Sequence, residues 1–342
     1  MFSFIIQYLG GSFLGWSLGA NDSANVFGTA VTSKMVSYRL AIFLTAIFVI
    51  LGAVLQGEAG IIRYSEGLNK KSQTIISETN LSKEEQTKIA KTKKNKAIRL
   101  AVMISFAAAF TVTVMTILKI PVSTSQAAVG AIIGVGLLEN NVDWGGLNKV
   151  IACWIGTPIG GALFTFILYF LFRKIFRKLK LPVFVYDPVI SILLIVCGCY
   201  GAYALGANNV ANVSGVFVGA GMMTIEQGTI FGGITIAIGA LTYSKPVMMT
   251  VGKGIVKLDA FTAFICVLSH AITVHIFAIV GVPVSTSQAI VGAILGIGII
   301  QGVHIINYKI LLKVSAGWIA TPFIAGALSA LIYFIMHLEF VG

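Results

Sequence analysis

The hexapeptide PVSTSQ occurs twice in this chain, at residues 121–126 and again at residues 283–288. Each copy continues into a glycine-spaced apolar stretch, and PVSTSQAAVGAIIGVGLL and PVSTSQAIVGAILGIGII are identical at 13 of 18 positions. Identity of this extent indicates that the chain contains two copies of one structural unit. Hydroxyl and amide side chains carried twice inside apolar sequence predict a polar site between two membrane-embedded repeats.

Two further pairs of motifs occur in the same order. GANDSANVFGTAV from Gly19 matches GANNVANVSGVFV from Gly206 at 8 of 13 positions, and WIGTP at Trp154 corresponds to WIATP at Trp318. The asparagine motifs are 206 − 19 = 187 residues apart, whereas the serine motifs are 283 − 121 = 162 residues apart. The difference, 187 − 162 = 25 residues, indicates an insertion in the first copy, which we assign to the basic stretch at residues 78–97.

Composition places both copies in a membrane, because 57% of the residues are hydrophobic and only 11% are charged. Apolar runs of about the length of a helical span lie at residues 40–55, 100–118, 150–172, 189–205, 261–280 and 310–335. We predict an all-α integral membrane protein of two inverted-topology repeats, with broken helices and re-entrant hairpins around a central substrate site. The predicted division is a first repeat at residues 1–172, a basic linker at residues 173–186 and a second repeat at residues 187–342.

The formal net charge of +12 comes from cations that gather in short connections between apolar runs. Such cations fix membrane topology and contact anionic lipid, so the charge does not indicate a nucleic-acid partner. The positive-inside rule predicts that the cluster RKIFRKLK at residues 173–180 is cytoplasmic, which places Met1 outside the cell membrane. The insertion at residues 78–97 is expected to be a solvated, partly helical loop, and the sequence does not decide its side of the membrane.

Each serine motif predicts the start of a helix at membrane depth. Proline ends the preceding segment, and a serine followed three residues later by glutamine forms a capping-box pattern at Ser123/Gln126 and Ser285/Gln288. The first N–H groups of such a helix lack intrahelical partners and carry the positive end of the helix dipole. Two facing motifs could therefore surround a tetrahedral oxyanion without lysine or arginine. The hydroxyls available for this are those of Ser123, Thr124, Ser125, Ser285, Thr286 and Ser287.

A purely structural role is the alternative for the same residues. Glycines such as Gly130 and Gly292 are best explained by close helix packing. Ordinary capping, however, requires neither three adjacent hydroxyls nor their repetition in both halves. We therefore favour the anion site for the hydroxyls.

The asparagine motifs offer oxygen ligands instead. Asp22 and Asn25 are three residues apart and share one helical face, as do Asn209 and Asn212. A carboxylate, amide oxygens and carbonyls released by an unwound helix suit a small hard cation, and sodium is the natural candidate. A proton on Asp22 is the competing interpretation, because a carboxylate at membrane depth can bind a proton instead.

Histidines and cysteines also lie in or near apolar runs. His270 and His275 fall on one candidate span and are interpreted as interior polar groups, with a proton relay as the alternative. The four cysteines show no metal-ligand spacing with histidine, so we expect them to be small packing residues. No nucleophile, base and metal set indicates an enzyme.

The two asparagine motifs and the two PVSTSQ segments resemble the signatures of the inorganic phosphate transporter (PiT) family, in order and over nearly the whole chain. The resemblance implies phosphate import driven by sodium, or in some members by protons, with sodium as coupling ion and often a homodimer. It assigns phosphate to the hydroxyls of the serine motifs, with Gln126 and Gln288 bridging phosphate and sodium. It assigns sodium to Asp22, Asn25, Asn209 and Asn212.

Two departures from the family pattern bear on ion stoichiometry. Asn209 stands where many relatives have a second aspartate, which removes one formal charge. Relatives often carry a glutamate after the next span in both copies, but here only Glu58 is available, and the second copy has no acid between Gly239 and Asp259. A sulfate permease of the same architecture and an anion channel remain the alternative functions. The expected mechanism is alternating access, with sodium offsetting the charge of phosphate in a low-dielectric site.

Overall fold

The computed structural model describes residues 2–73 and 83–338, which are helical apart from short connections. The first half contains α1 (Phe2–Thr32), α2 (Tyr38–Gln56), α3 (Glu58–Gln73), α4 (Lys83–Ile117), α5 (Thr124–Leu138) and α6 (Trp144–Leu179). The second half contains α7 (Val183–Gly219), α8 (Ile225–Tyr243), α9 (Lys245–Gly254), α10 (Ala260–Val280), α11 (Thr286–Gln301) and α12 (Tyr308–Leu338), with a 3₁₀ turn at Val303–Ile305. The predicted all-α fold is confirmed.

Seven of the described helices are long and apolar enough to cross a membrane: α2, α4, α6, α7, α8, α10 and α12. Six of them contain the predicted apolar runs, whereas α8 was not predicted as a span. Helix α1 is not among these seven, and its second half carries the polar motif GANDSAN. Large apolar side chains such as Leu55 and Phe323 are 70% and 74% exposed, as expected for a surface that faces lipid. The chain is a multi-pass membrane protein.

The helices that follow the two asparagine motifs correspond closely. Helices α2 and α8 are both 19 residues long, and both start and end 187 residues apart. Helices α1 and α7, which carry the motifs themselves, pack antiparallel. Gly11, near the start of α1, lies against Phe217 near the end of α7, and Gly198 of α7 lies against Phe27.

The last long helix of each half packs against the other half. An added Cβ on Gly130 of α5 would lie 2.3 Å from the carbonyl oxygen of Pro322 in α12. In the same way, a Cβ on Gly292 of α11 would lie 2.1 Å from the carbonyl oxygen of Pro158 in α6. Each short helix therefore packs on the late helix of the other half, and the glycines permit this approach, as expected.

The structure describes the predicted linker and part of the predicted insertion. Most of the predicted linker at residues 173–186 is helical, because α6 runs to Leu179 and α7 begins at Val183, with Lys180 between them in a left-handed conformation (φ 45°). Within the predicted insertion, residues 78–82 lie outside the described residues, and the remainder forms the exposed start of α4.

Candidate functional site

Both serine motifs form helix starts, as predicted. Ser123 precedes α5 in an extended conformation, and its Oγ accepts a hydrogen bond of 3.2 Å from the backbone N–H of Gln126. Ser285 precedes α11 in the same way and accepts 3.2 Å from the N–H of Gln288. The helix breaks are therefore located at the serine motifs.

The predicted capping boxes form only in part. The serine half is present in both motifs, but the side-chain oxygens Oε1 of Gln126 and Gln288 are buried and have no hydrogen-bond partner. The glutamine side chains therefore do not accept a hydrogen bond from the backbone N–H of the capping serines. Their acceptor atoms remain available to a ligand.

Helix α1 connects the first asparagine motif to both serine motifs. Oδ2 of Asp22 accepts 2.6 Å from the hydroxyl of Thr124, at the start of α5. One turn later, Nδ2 of Asn25 donates 3.1 Å to the hydroxyl oxygen of Thr286, at the start of α11. Asp22 and Asn25 thus share one helical face, as predicted, and that face lies between the two helix starts.

Helix α7 supplies the second asparagine motif to the same cluster. Nδ2 of Asn212 donates 3.0 Å to Oγ of Ser125 and 3.0 Å to Oδ1 of Asn209. Ser125 in turn donates 3.0 Å to the carbonyl oxygen of Val284, the second residue of the second serine motif. Hydrogen bonds therefore join side chains of both asparagine motifs to both serine motifs in one buried cluster, the buried network.

The predicted unwinding at the asparagine motifs is wrong. Helices α1 and α7 run without interruption through Asp22 and Asn209, so backbone carbonyls are not released there. Continuous helices remain compatible with these polar residues because their side chains find partners in the serine hairpins. The oxygen ligands at this site are therefore side-chain oxygens.

Sequence reasoning missed two asparagines that hold the hairpins. Nδ2 of Asn21 donates 2.8 Å to Oγ1 of Thr116 and 3.2 Å to the carbonyl of Ile120, while its Oδ1 accepts 3.1 Å from the N–H of Val122. Asn208 makes the equivalent bonds in the second half, to the carbonyl of Val282 at 3.2 Å and from the N–H of Val284 at 3.0 Å. The available signal was the GAN triplet, which both motifs share.

One pair of equivalent contacts differs between the halves. Trp318 of α12 donates 3.1 Å from Nε1 to Oγ of Ser287, which also bonds Oγ of Ser285 at 3.0 Å. The corresponding Trp154 of α6 has a buried Nε1 without a partner. The two hairpins are therefore in different local states.

Several buried oxygens of the network have no hydrogen-bond partner. They are Asp22 Oδ1, Asn25 Oδ1, Asn212 Oδ1, Gln126 Oε1 and Gln288 Oε1. Each buried acceptor left unsatisfied costs about 1–3 kcal/mol, so such a cluster favours a ligand that is a cation or a hydrogen-bond donor. The donor set fits a hard cation such as sodium, which prefers carboxylate and amide oxygens.

All twelve residues predicted for the site are buried, with exposed fractions of 5% or less. None of the hydrogen bonds found to them comes from lysine or arginine in the described part of the chain. Glu58 is different: it is exposed at the start of α3, and the equivalent position at the start of α9 is Lys245. The twelve predicted residues therefore lie in the buried site, whereas Glu58 lies outside it on the protein surface.

The two histidines of α10 lie in different surroundings. His275 lies between the hydroxyl of Tyr200 at 2.7 Å and Oε1 of Gln56 at 2.8 Å. His270 is fully buried, and neither ring nitrogen has a hydrogen-bond partner. His275 matches the interior polar role that we favoured. The proton relay remains an untested alternative.

Comparison with known proteins agrees with this geometry. Sulfate permease CysP of Bacillus subtilis is 28% identical over 94% of this chain and 84% of its own length. A predicted phosphate permease of Methanocaldococcus jannaschii is 30% identical over 90% of this chain and 89% of its own. A structure described as the sodium-dependent phosphate transporter shares the fold, with a TM-score of 0.82 at 24% identity, over 99% of this chain and 100% of that one.

The family assignment rests on most of the chain. Residues 18–329 match the phosphate transporter family, a range that includes both asparagine motifs and both serine motifs. This family is one of transporters, not enzymes. The chain therefore belongs to the phosphate transporter family.

Proposed function

We propose that this protein imports inorganic phosphate across the cell membrane by sodium-coupled symport. The observation that carries the proposal is the direct bonding of the two motif types inside one buried network. Thr124 bonds Asp22, and Ser125 bonds Asn212, so groups suited to an anion and groups suited to a cation lie side by side. A coupled transporter requires this adjacency, because ion and substrate must favour each other's binding.

The anion half of the proposed site is formed by the starts of α5 and α11. Both helices direct their first N–H groups and the positive ends of their dipoles toward the network. The proposed phosphate ligands are Ser123, Thr124, Ser125, Gln126, Ser285, Thr286, Ser287 and Gln288. With no lysine or arginine in the network, release is not opposed by a fixed ion pair.

The cation half is formed by α1 and α7. We assign sodium to the unpartnered oxygens of Asp22, Asn25 and Asn212, with Asn209, Gln126 and Gln288 beside them. Asp22 is the only formal charge among these residues. A bound sodium ion would offset part of the phosphate charge and so lower the cost of dehydrating phosphate in a low-dielectric site. The alternative is that Asp22 binds a proton in place of sodium, and phosphate uptake under a pH gradient tests this alternative.

Unpartnered acceptors also favour phosphate over sulfate, the second candidate substrate in view of the sulfate permease relative. Phosphate at neutral pH carries at least one P–OH group, which can donate a hydrogen bond, whereas sulfate carries none. Oε1 of Gln126 and of Gln288 lies at the two anion-binding helix starts without a donor. Sulfate cannot donate a hydrogen bond to either acceptor, which leaves sodium as their only partner, and a missing donor of this kind discriminates between isosteric ligands.

We infer that transport proceeds by alternating access between two inverted repeats. The antiparallel packing of α1 and α7 supports inverted topology. The unequal tryptophan contacts support two interchangeable hairpin states, because Trp318 bonds Ser287 while Trp154 lacks its equivalent bond. Association of two copies is proposed from the family resemblance alone, and cross-linking of the protein in native membranes would test it.

Ligand-dependent stability tests the proposed substrates directly. The purified protein in detergent should gain thermal stability when phosphate and sodium are added together. The gain should be markedly smaller with phosphate in potassium, or with sodium in the absence of phosphate. Arsenate should replace phosphate, since it has the same shape and also carries an OH group. Two results would contradict the assignment of phosphate and sodium: stabilisation by sulfate equal to that by phosphate, or stabilisation by phosphate that is the same with and without sodium.

A further inference from the structure

The turn that precedes each serine hairpin carries a cation, but the two halves supply it differently. Lys119 and Gly281 occupy equivalent left-handed positions, with φ of 59° and 74°. The following residue closes the same bond in each turn, from Ile120 to Met115 at 2.9 Å and from Val282 to Phe277 at 3.1 Å. Glycine is the residue that this conformation favours, so Lys119 is the exception within the pair.

The short helices α3 and α9 contain the compensating difference. They begin at residues 58 and 245, which are 187 apart, so Arg63 of α3 corresponds to Thr250 of α9. A Cβ on Gly281 would lie 3.0 Å from Nε of Arg63, so the arginine side chain covers the glycine turn. In the other half, Thr250 lies beside Lys119 in one cleft. Arg63 of the short helix thus supplies a cation at the Gly281 turn, whereas in the other half the turn residue Lys119 is itself a cation.

The cleft beside Lys119 has a volume of about 550 Å³ and lies among the end of α4, helix α9 and the start of α12. Lys119 and Lys245 both line it, together with Thr250 and Ile310, and no carboxylate lines it. Neither lysine forms a salt bridge within the described residues. The cleft is therefore a positively charged opening large enough for a hydrated oxyanion.

The chain that lines the cleft continues to the buried network. The peptide that follows Lys119 ends in the carbonyl of Ile120, which accepts 3.2 Å from Asn21, the neighbour of Asp22. Helix α9 packs against the last turn of α1, where Gly252 lies against Thr32. The buried network itself contains no cation, so an anion gains most of its long-range attraction at the cleft.

We propose that this cleft is a low-affinity binding site for a phosphate-type oxyanion at one mouth of the transport path, and that Arg63 forms its counterpart at the other mouth. The proposal rests on the proposed function, because the anion that the site concentrates is the transported one. The same chemistry would also bind the phosphate of a lipid headgroup. The two sources differ in their dependence on membrane composition.

The test uses proteoliposomes of zwitterionic lipid alone, sorted into the two orientations by capture on a terminal affinity tag. Sodium-driven phosphate flux is measured from each face at low and high ionic strength. Lys119→Gly should raise the KM for phosphate about two- to fivefold on one face at low ionic strength, with an unchanged maximal rate. Arg63→Gln should do so on the opposite face. Glycine suits the left-handed turn, so the Lys119 variant is expected to fold.

Two further variants make the test specific. Lys34→Gly removes a lysine from another left-handed position (φ 63°) that does not line the cleft, and it should leave both KM values unchanged. The double variant Lys119→Gly/Thr250→Arg transfers the arrangement of the second half to the first and should restore the KM.

Four results would overturn the proposal: an unchanged KM in Lys119→Gly, an equal change in Lys34→Gly, no recovery in the double variant, or both cation variants acting on the same face. A Lys119 effect that occurs only when anionic lipid is added would assign the cleft to lipid and would also overturn it. Absence of phosphate flux in the wild-type protein would refute the proposed function and this inference together. Normal flux with an unchanged KM would refute this inference alone.

Discussion

The hydroxyl of Thr124 donates a 2.6 Å hydrogen bond to the carboxylate of Asp22, across 124 − 22 = 102 positions of the sequence. Both side chains are buried, with 1% of their surface exposed. Thr124 is the first residue of α5, so the bond joins the carboxylate of one motif to the helix start of the other. A change in the charge of Asp22 is therefore felt directly at the proposed phosphate site.

Replacement of the carboxylate should uncouple the two ligands. We expect Asp22→Asn to keep the bond to Thr124 as an acceptor while it removes the formal charge that favours sodium. Sodium activation of phosphate uptake should weaken at least about tenfold, a loss of about 1.4 kcal/mol in sodium affinity. Asp187→Asn, at an exposed position in α7, is the control and should leave sodium activation unchanged. Wild-type sodium activation in the Asp22 variant would remove Asp22 from the sodium site.

The serine hydroxyls should contribute to phosphate affinity in both halves. Ser125→Ala and Ser287→Ala each remove one proposed donor and are expected to raise the KM for phosphate about three- to tenfold. Initial uptake rates over a range of phosphate concentrations measure this effect. Ser105→Ala is the matched control, because that buried hydroxyl bonds only within α4, to Ala101 at 2.7 Å. An unchanged KM in both site variants would contradict the anion site.

Asn21 should act by positioning the first hairpin, not by contact with phosphate. Asn21→Ala leaves the N–H of Val122 and the carbonyl of Ile120 without their partner, at a cost of about 1–3 kcal/mol for each buried group. We expect a lower unfolding temperature and a lower maximal rate. Asn208→Ala should behave in the same way, because its bonds are equivalent. A change confined to the KM, with normal stability, would mean that Asn21 is instead a ligand.

The two motif tryptophans should shift the conformational equilibrium in opposite directions. Trp318→Phe removes the bond to Ser287 that this conformation contains, whereas Trp154→Phe removes a bond that we expect only in the alternate state. Each change should shift the equilibrium by about 1 kcal/mol, or roughly fivefold in population. Spin labels at the exposed residues Leu118 and Met249 would report the width of the cleft beside α9. Shifts in the same direction for both variants would contradict the exchange of hairpin states.

Much of this architecture could be predicted from the sequence because the decisive signals are local. The apolar runs located six of the seven candidate spans, and Ser123 and Ser285 marked the starts of α5 and α11. Helix α8 was missed because polar residues such as Glu226 and Gln227, together with its glycines, leave it with a hydropathy of only 1.2. Local signals of this kind depend on residues within one helical turn.

Tertiary contacts explain what could not be predicted. The unbroken course of α1 through Asp22 depends on Thr124, which lies far away in the sequence and satisfies the carboxylate from another helix. The role of Asn21 likewise depends on Ile120 and Val122. Periodicity also gives no indication that α5 packs on α12 of the other half, since small residues such as Gly130 permit many close partners.

The most direct test of the account is uptake of labelled phosphate into proteoliposomes that contain only this protein. Uptake is compared under an inward sodium gradient, a potassium gradient and a pH gradient, with excess unlabelled arsenate or sulfate as competitor. We predict saturable uptake that requires sodium and is inhibited by arsenate but not by sulfate. Uptake driven only by the pH gradient, uptake indifferent to both gradients, or inhibition by sulfate equal to that by arsenate would contradict a sodium-coupled phosphate symporter.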